Sequence, residues 1–108
     1  DWLISNPIDL TGLSTVKLNF QTVVRYGGPA LEVFMTTNYT GGDPSDSSWT
    51  QLDAVLDTDT GSWSSWTDSG DLDVSAAAGQ NLYIAFKYTS TSSGSATYEL
   101  DNVLVSGE

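Results

Sequence analysis

The chain contains no cysteine and no histidine. Thiolate chemistry, Cys–His and Ser–His–Asp catalysis and ordinary zinc sites are therefore excluded. Basic residues are almost missing as well: Lys and Arg number 3 against 14 Asp and Glu, for a formal net charge of −11. Nucleic acids are bound by neutralising phosphates with Lys and Arg, and anionic membrane surfaces attract the same side chains, so neither is an expected partner. No apolar stretch approaches the roughly 20 residues that span a bilayer, and no membrane insertion is expected. Glutamate is confined to Glu32, Glu99 and Glu108. Glycoside hydrolysis needs two carboxyl groups at a set spacing inside a cleft, and a chain of 108 residues offers little wall for one. The chain is read as not an enzyme, with no catalytic residues. What remains is oxygen chemistry: hydroxyls, carboxylates and, as a possible structural ion, calcium.

Ser and Thr together make up about a quarter of the chain, and 11% of residues are aromatic, including four tryptophans. A disordered acidic tail would lack those rings. Apolar and polar residues alternate in Val16-Lys17-Leu18-Asn19-Phe20-Gln21, in Leu31-Glu32-Val33-Phe34-Met35 and in Leu82-Tyr83-Ile84-Ala85-Phe86-Lys87-Tyr88. A period of two marks strands with one face buried. Strands are expected over residues 2–5, 14–26, 30–37, 48–53, 63–74, 80–90 and 95–106, with Ser75 to Gly79 as a single helical turn. Turn chemistry at Gly27-Gly28-Pro29, Gly41-Gly42-Asp43-Pro44, Asp59-Thr60-Gly61 and Ser92-Ser93-Gly94 separates them. Short strands with turns every dozen residues predict an all-β fold, an antiparallel, jelly-roll-like β-sandwich. Residues 1–108 form one module, and Val16, Leu18, Phe20, Val33, Leu82, Ile84, Phe86 and Leu100 are its expected core. In the last strand Tyr98 and Leu100 have one parity and Val103 and Val105 the other. The phase slips at Asp101-Asn102, which predicts a β-bulge there.

Three features point toward sugar recognition. The outward parity of Arg25, Glu32, Phe34, Tyr83 and Lys87 suggests one polar sheet surface with donors, an acceptor and ring faces. The competing reading is a solvated face with a cross-strand Arg25–Glu32 pair. Tyr26, at a strand end beside Gly27, would close one end of that surface. Trp63 and Trp66 sit in an otherwise polar stretch, so at least one of them is expected to be exposed, and Trp66 is the candidate platform for a sugar's apolar face. Trp2, inside an apolar opening strand, and Trp49 are expected to be structural.

The chain also resembles a known family. Asp1-Trp2-Leu3-Ile4-Ser5 followed by Ile8-Asp9-Leu10-Thr11-Gly12, then Thr37-Asn38-Tyr39-Thr40-Gly41-Gly42-Asp43-Pro44, Ser69-Gly70-Asp71-Leu72-Asp73 and Leu100-Asp101-Asn102-Val103 are similar to motifs of the bacterial choice-of-anchor J domains. Those domains are related to cleaved-adhesin and MAM-like jelly rolls. The resemblance implies a module excised from a larger secreted or cell-surface protein, often beside polysaccharide-degrading enzymes. It also implies that Asp101 occupies a position where jelly-roll carbohydrate modules carry a calcium ligand, with Asp1 and Asp43 as weaker candidates. The expected function is a non-catalytic, monomeric carbohydrate-binding module that targets an appended catalytic domain to a polysaccharide. The alternative is an adhesin-like or structural interaction domain.

Overall fold

A computed structural model describes residues 2–26, 30–58, 66–89 and 97–108. Nine strands lie among them: β1 (Trp2–Ile4), β2 (Ile8–Asp9), β3 (Val16–Arg25), β4 (Glu32–Thr36), β5 (Thr50–Leu52), β6 (Thr67–Asp68), β7 (Leu72–Asp73), β8 (Asn81–Lys87) and β9 (Thr97–Gly107). The helical content of the described residues is two 3-10 turns, Pro44–Asp46 and Ser75–Ala77. No helix among them is long and apolar enough to cross a membrane.

The strands form two antiparallel sheets packed face to face. In the five-stranded sheet β8 is central, with β4 and then β5 on one side and β1 and β2 end to end on the other. In the four-stranded sheet β9 pairs along the whole of β3, so the short β6 and β7 share the opposite side of β3. The alternating residues Val16, Leu18, Phe20, Val33, Leu82, Ile84 and Phe86 are buried between the sheets as expected, and Leu100 packs half-buried at their margin. Phe20 from one sheet meets Phe86 from the other edge-to-face, with ring centroids 5.2 Å apart, the geometry the ring quadrupoles favour.

The bulge expected at Asp101-Asn102 is present. Asn19 pairs with Leu104 and Gln21 with Asp101, so β9 holds one residue more than β3 across this step. Asn102 sits there at φ 52, and its N–H is accepted by the Asp101 carboxylate at 2.8 Å. An asparagine tolerates this left-handed conformation better than most residues, because its short amide bonds locally.

The expected strand over residues 63–74 is not continuous where it is described. Gly70 turns the chain at φ 79, and Asp68 accepts its N–H, which splits the segment into β6 and β7. The gap is closed by side chains. Ser69, buried in the core margin, accepts the Phe20 N–H through its hydroxyl at 3.0 Å and donates its own N–H to the Phe20 carbonyl at 2.8 Å. Ser75 Oγ accepts the Val16 N–H, and Asp57 accepts the Val24 N–H. The sequence reading also missed β2, whose two residues pair with Asn81 and Leu82. A two-residue strand is too short to show a period.

Ser69→Ala leaves the Phe20 N–H, at a position with no solvent exposure, without its acceptor. The expected loss is about 1–3 kcal/mol of stability, read as a lower urea midpoint with an unchanged slope. An unchanged midpoint would mean that water or another group replaces the hydroxyl.

Candidate functional site

The outer face of the five-stranded sheet carries an aromatic layer. Phe34 and Trp2 lie with centroids 5.4 Å apart, Trp2 and Trp49 5.4 Å, Trp49 and Tyr39 5.7 Å, and Tyr39 and Tyr83 5.6 Å. The five rings make one unbroken contact series across β1, β4, β8 and the segment between β4 and β5. All five are half-buried. Strand register explains the assembly. Ala85 is the outward residue at the centre of the sheet, opposite both Phe34 and Ile4. Its methyl leaves room for large rings above it, and it has no solvent exposure although it faces away from the core.

The segment joining β4 to β5 is pinned from within. Asp43 caps the 44–46 turn by accepting the Ser45 N–H and hydroxyl. The carbonyl of Pro44 then accepts Trp49 Nε1–H at 2.7 Å, and the Tyr39 hydroxyl donates to the Gly42 carbonyl at 2.9 Å. Thr36 Oγ1 donates to the Ser48 carbonyl and closes the base. Two of the five rings are thus oriented by hydrogen bonds at their polar ends, as the donors of partly buried Trp and Tyr side chains require.

At the Tyr39–Tyr83 end of the series the surface opens into a depression of about 640 Å³. One wall is Ile4-Ser5-Asn6-Pro7, where the chain bows out between β1 and β2; the other is Tyr39, Thr40 and Gly41, with Tyr83 between them. Ser5 keeps the bow attached: its N–H reaches the Ile84 carbonyl and its Oγ accepts the Ile84 N–H. The Asn6 amide and the Tyr83 hydroxyl make no hydrogen bond among the described residues, so both are free to meet a ligand.

The structure gathers part of the expected site and separates the rest. Glu32, Phe34, Tyr83 and Lys87 share this outer face; Glu32 pairs in register with Lys87, and Lys87 Nζ stands 5.4 Å from the Trp2 ring centre. Arg25, Tyr26 and Trp66 do not belong to it. Arg25 ends β3 in the other sheet, where its register partner is Thr97, so the single polar surface and the cross-strand Arg25–Glu32 pair read from parity do not form. Parity reports the face of a strand but not the sheet that holds it. Arg25 lies over the Tyr26 ring at 4.7 Å, and Tyr26 is exposed at φ 70. Trp66 is 44% exposed beside β6, as expected for one member of its pair; Trp63 lies outside the described residues.

Trp2 is a correction of a different kind. The apolar opening strand predicts a structural, inward Trp2, whereas it pairs with Lys87 on the outward side of β1 and joins the aromatic layer. Trp49 and Tyr39 were not read as site residues at all. The signal available for them was the density of rings in a chain with so few charges.

Of the calcium candidates, Asp101 is on β9 and Asp43 on the opposite sheet's connecting segment, each engaged with a neighbouring N–H. Asp1 lies outside the described residues. Among the described residues no three acidic side chains are grouped to hold a metal ion.

A family model matches residues 9–106, nearly the whole chain. The protein belongs to the DUF5017 family, described as a domain of unknown function. No curated protein matches it. The DUF5017 description names no activity and is silent on the likeness to choice-of-anchor J domains, so the chemistry has to be argued from the site.

The cap at Asp43 generates a pH prediction. The Ser45 N–H, and then its hydroxyl, hold the Asp43 carboxyl below its ordinary value of 3.8. A carboxyl lowered by folding stabilises the fold at pH above its unfolded value and loses that contribution as pH falls through the folded one. Asp43→Ala is therefore expected to lower the melting temperature and to speed exchange of the Trp49 indole N–H at neutral pH. Both differences from the parent should shrink as pH drops below 3.8 and vanish once it passes the lower folded value. A difference that persists undiminished in acid would show that the carboxylate is not the source.

Proposed function

We propose that this DUF5017 domain is a non-catalytic carbohydrate-binding module, which holds a polysaccharide on the outer face of the five-stranded sheet and so keeps an attached enzyme near it. The observation that carries the reading is the series of five half-buried rings that runs into a depression walled by Tyr39, Tyr83 and uncharged polar groups. A sugar ring presents an apolar C–H face and a rim of hydroxyls. Ring faces beside an amide, a Thr and a phenol hydroxyl match both. The rigid sheet below and the hydrogen-bonded segment above hold these groups in place without a ligand, which lowers the ordering cost of binding. A module of this kind raises the effective concentration of its neighbour on the polymer and performs no chemistry itself. The likeness to choice-of-anchor J domains supports a secreted bacterial setting.

An adhesin-like interaction domain is the second reading. It is favoured by the adjacent exposed side chains Val103 and Leu104 on β9, 52% and 59% exposed.

Native affinity electrophoresis against a panel of polysaccharides separates the two. The expected outcome is retention by at least one polymer. Asn6→Ala should weaken that retention with no change in melting temperature, since Asn6 is exposed and bonds nothing among the described residues. Losing one stacking ring, as in Tyr83→Ala, should cost about 1–3 kcal/mol by analogy with aromatic–base stacking, which is roughly tenfold to a hundredfold in affinity. Trp66→Ala, beside β6 of the other sheet, should leave retention unchanged. A folded protein that no polymer retards would favour the interaction-domain reading.

A further inference from the structure

Resting on the carbohydrate reading above, we propose that the ligand is a neutral polysaccharide, built of uncharged sugar units without uronate or sulfate groups. The depression is lined by residues 4–7 and 39–41 and by Tyr83, none of which carries a charge. The strands of the ring-bearing sheet, β1, β2, β4, β5 and β8, hold three charged residues in all, Asp9, Glu32 and Lys87, of which one is a base. Glu32 and Lys87 stand opposite each other in register, Glu32 accepting from the Gln51 amide and Lys87 lying over the Trp2 ring. The segment between β4 and β5 adds Asp43 and Asp46 and no base. A ligand on this face therefore meets a single cation, which lies over the Trp2 ring and does not line the depression.

Recognition of a carboxylate or sulfate on a sugar needs the opposite, a forked or point cation aimed at the anion. The sole arginine, Arg25, and Lys17 are both on β3 in the other sheet. The protein as a whole carries −11, which repels an anionic polymer at low ionic strength over roughly a Debye length. The free polar groups at the depression, the Asn6 amide, the Thr40 hydroxyl and the Tyr83 phenol, both donate and accept without charge. That is the complement of sugar hydroxyls.

The test is affinity electrophoresis of the intact domain in gels containing hydroxyethylcellulose, mixed-linkage β-glucan, soluble starch, xylan or galactomannan as neutral polymers. Polygalacturonate and alginate serve as uronates, and carrageenan as a sulfated one. Each gel is run at about 0.02 M and about 0.3 M NaCl, where screening lengths differ several-fold. The proposal expects retention by at least one neutral polymer, changed less than about twofold by salt and lost in Tyr83→Ala, with no retention by the anionic polymers at either salt. Retention by a uronate or sulfated polymer equal to or above that by every neutral one would overturn the neutral class and leave the carbohydrate reading standing. Neutral retention that survives both Tyr83→Ala and Asn6→Ala would overturn the assignment to this face. A correctly melting protein that no polymer retards would overturn the carbohydrate reading itself, and this proposal with it.

Discussion

The buried N–H groups of β3 are the constraint on which the four-stranded sheet depends. Every inward residue of this strand contributes to the core, so its backbone lies beyond the reach of water and its donors need protein acceptors. On one side β9 meets the need with a continuous ladder. On the other, β6 and β7 pair with four residues of β3. Val16, Phe20 and Val24, spaced four apart between and beyond those short pairings, give their N–H groups to Ser75, Ser69 and Asp57 instead. Side-chain oxygens thus complete a sheet edge where the partner chain is irregular. The abundance of Ser, Thr and Asp, which reads in the sequence as a polar surface, is here partly an internal supply of acceptors. Thr22 belongs to the same arrangement: it is fully buried and its hydroxyl accepts the Asp57 N–H.

On the far side of the sandwich the same economy of charge leaves the outer face of the five-stranded sheet to aromatic rings. Small Ala85 at the centre and large residues around it allow the rings to lie against the sheet. The result resembles a second, shallow core with one side open. A layer of this kind stabilises the sheet and presents ring faces at once. At its open end, where Tyr39 and Tyr83 border the bowed chain, the Asn6 amide and the Tyr83 hydroxyl make no hydrogen bond among the described residues. Several of the acidic side chains that give the protein its net charge are spent on turns: Asp9, Asp43 and Asp73 each accept from the residue two positions on.

Alternation alone made most of the fold legible. The longer strands and seven buried core residues could be read from period two, because a half-buried strand has no other way to distribute its side chains. The bulge at Asp101-Asn102 was legible for the same reason, since an extra residue necessarily inverts the parity that follows it. The two-residue strands β2, β6 and β7 were not, as nothing periodic survives at that length. Parity placed four of the seven expected sugar-site residues, Glu32, Phe34, Tyr83 and Lys87, on one face of the sheet. The rest failed where parity is blind: Arg25 has the outward sign but belongs to the other sheet, and Trp2 sits in an apolar opening segment yet turns outward.

The amino-acid sequence by itself determined the chemistry available, an oxygen-rich and cation-poor domain without thiol or imidazole, and the face each strand residue would take. These follow from composition and from local backbone geometry, which each segment carries with it. Only the tertiary structure decided which strands became neighbours, and hence that Trp2, Phe34, Tyr39, Trp49 and Tyr83, scattered over more than eighty positions, would form one surface. It also decided that Arg25 would stand on the opposite one. Strand pairing is set by long-range packing and register, and no local pattern records it.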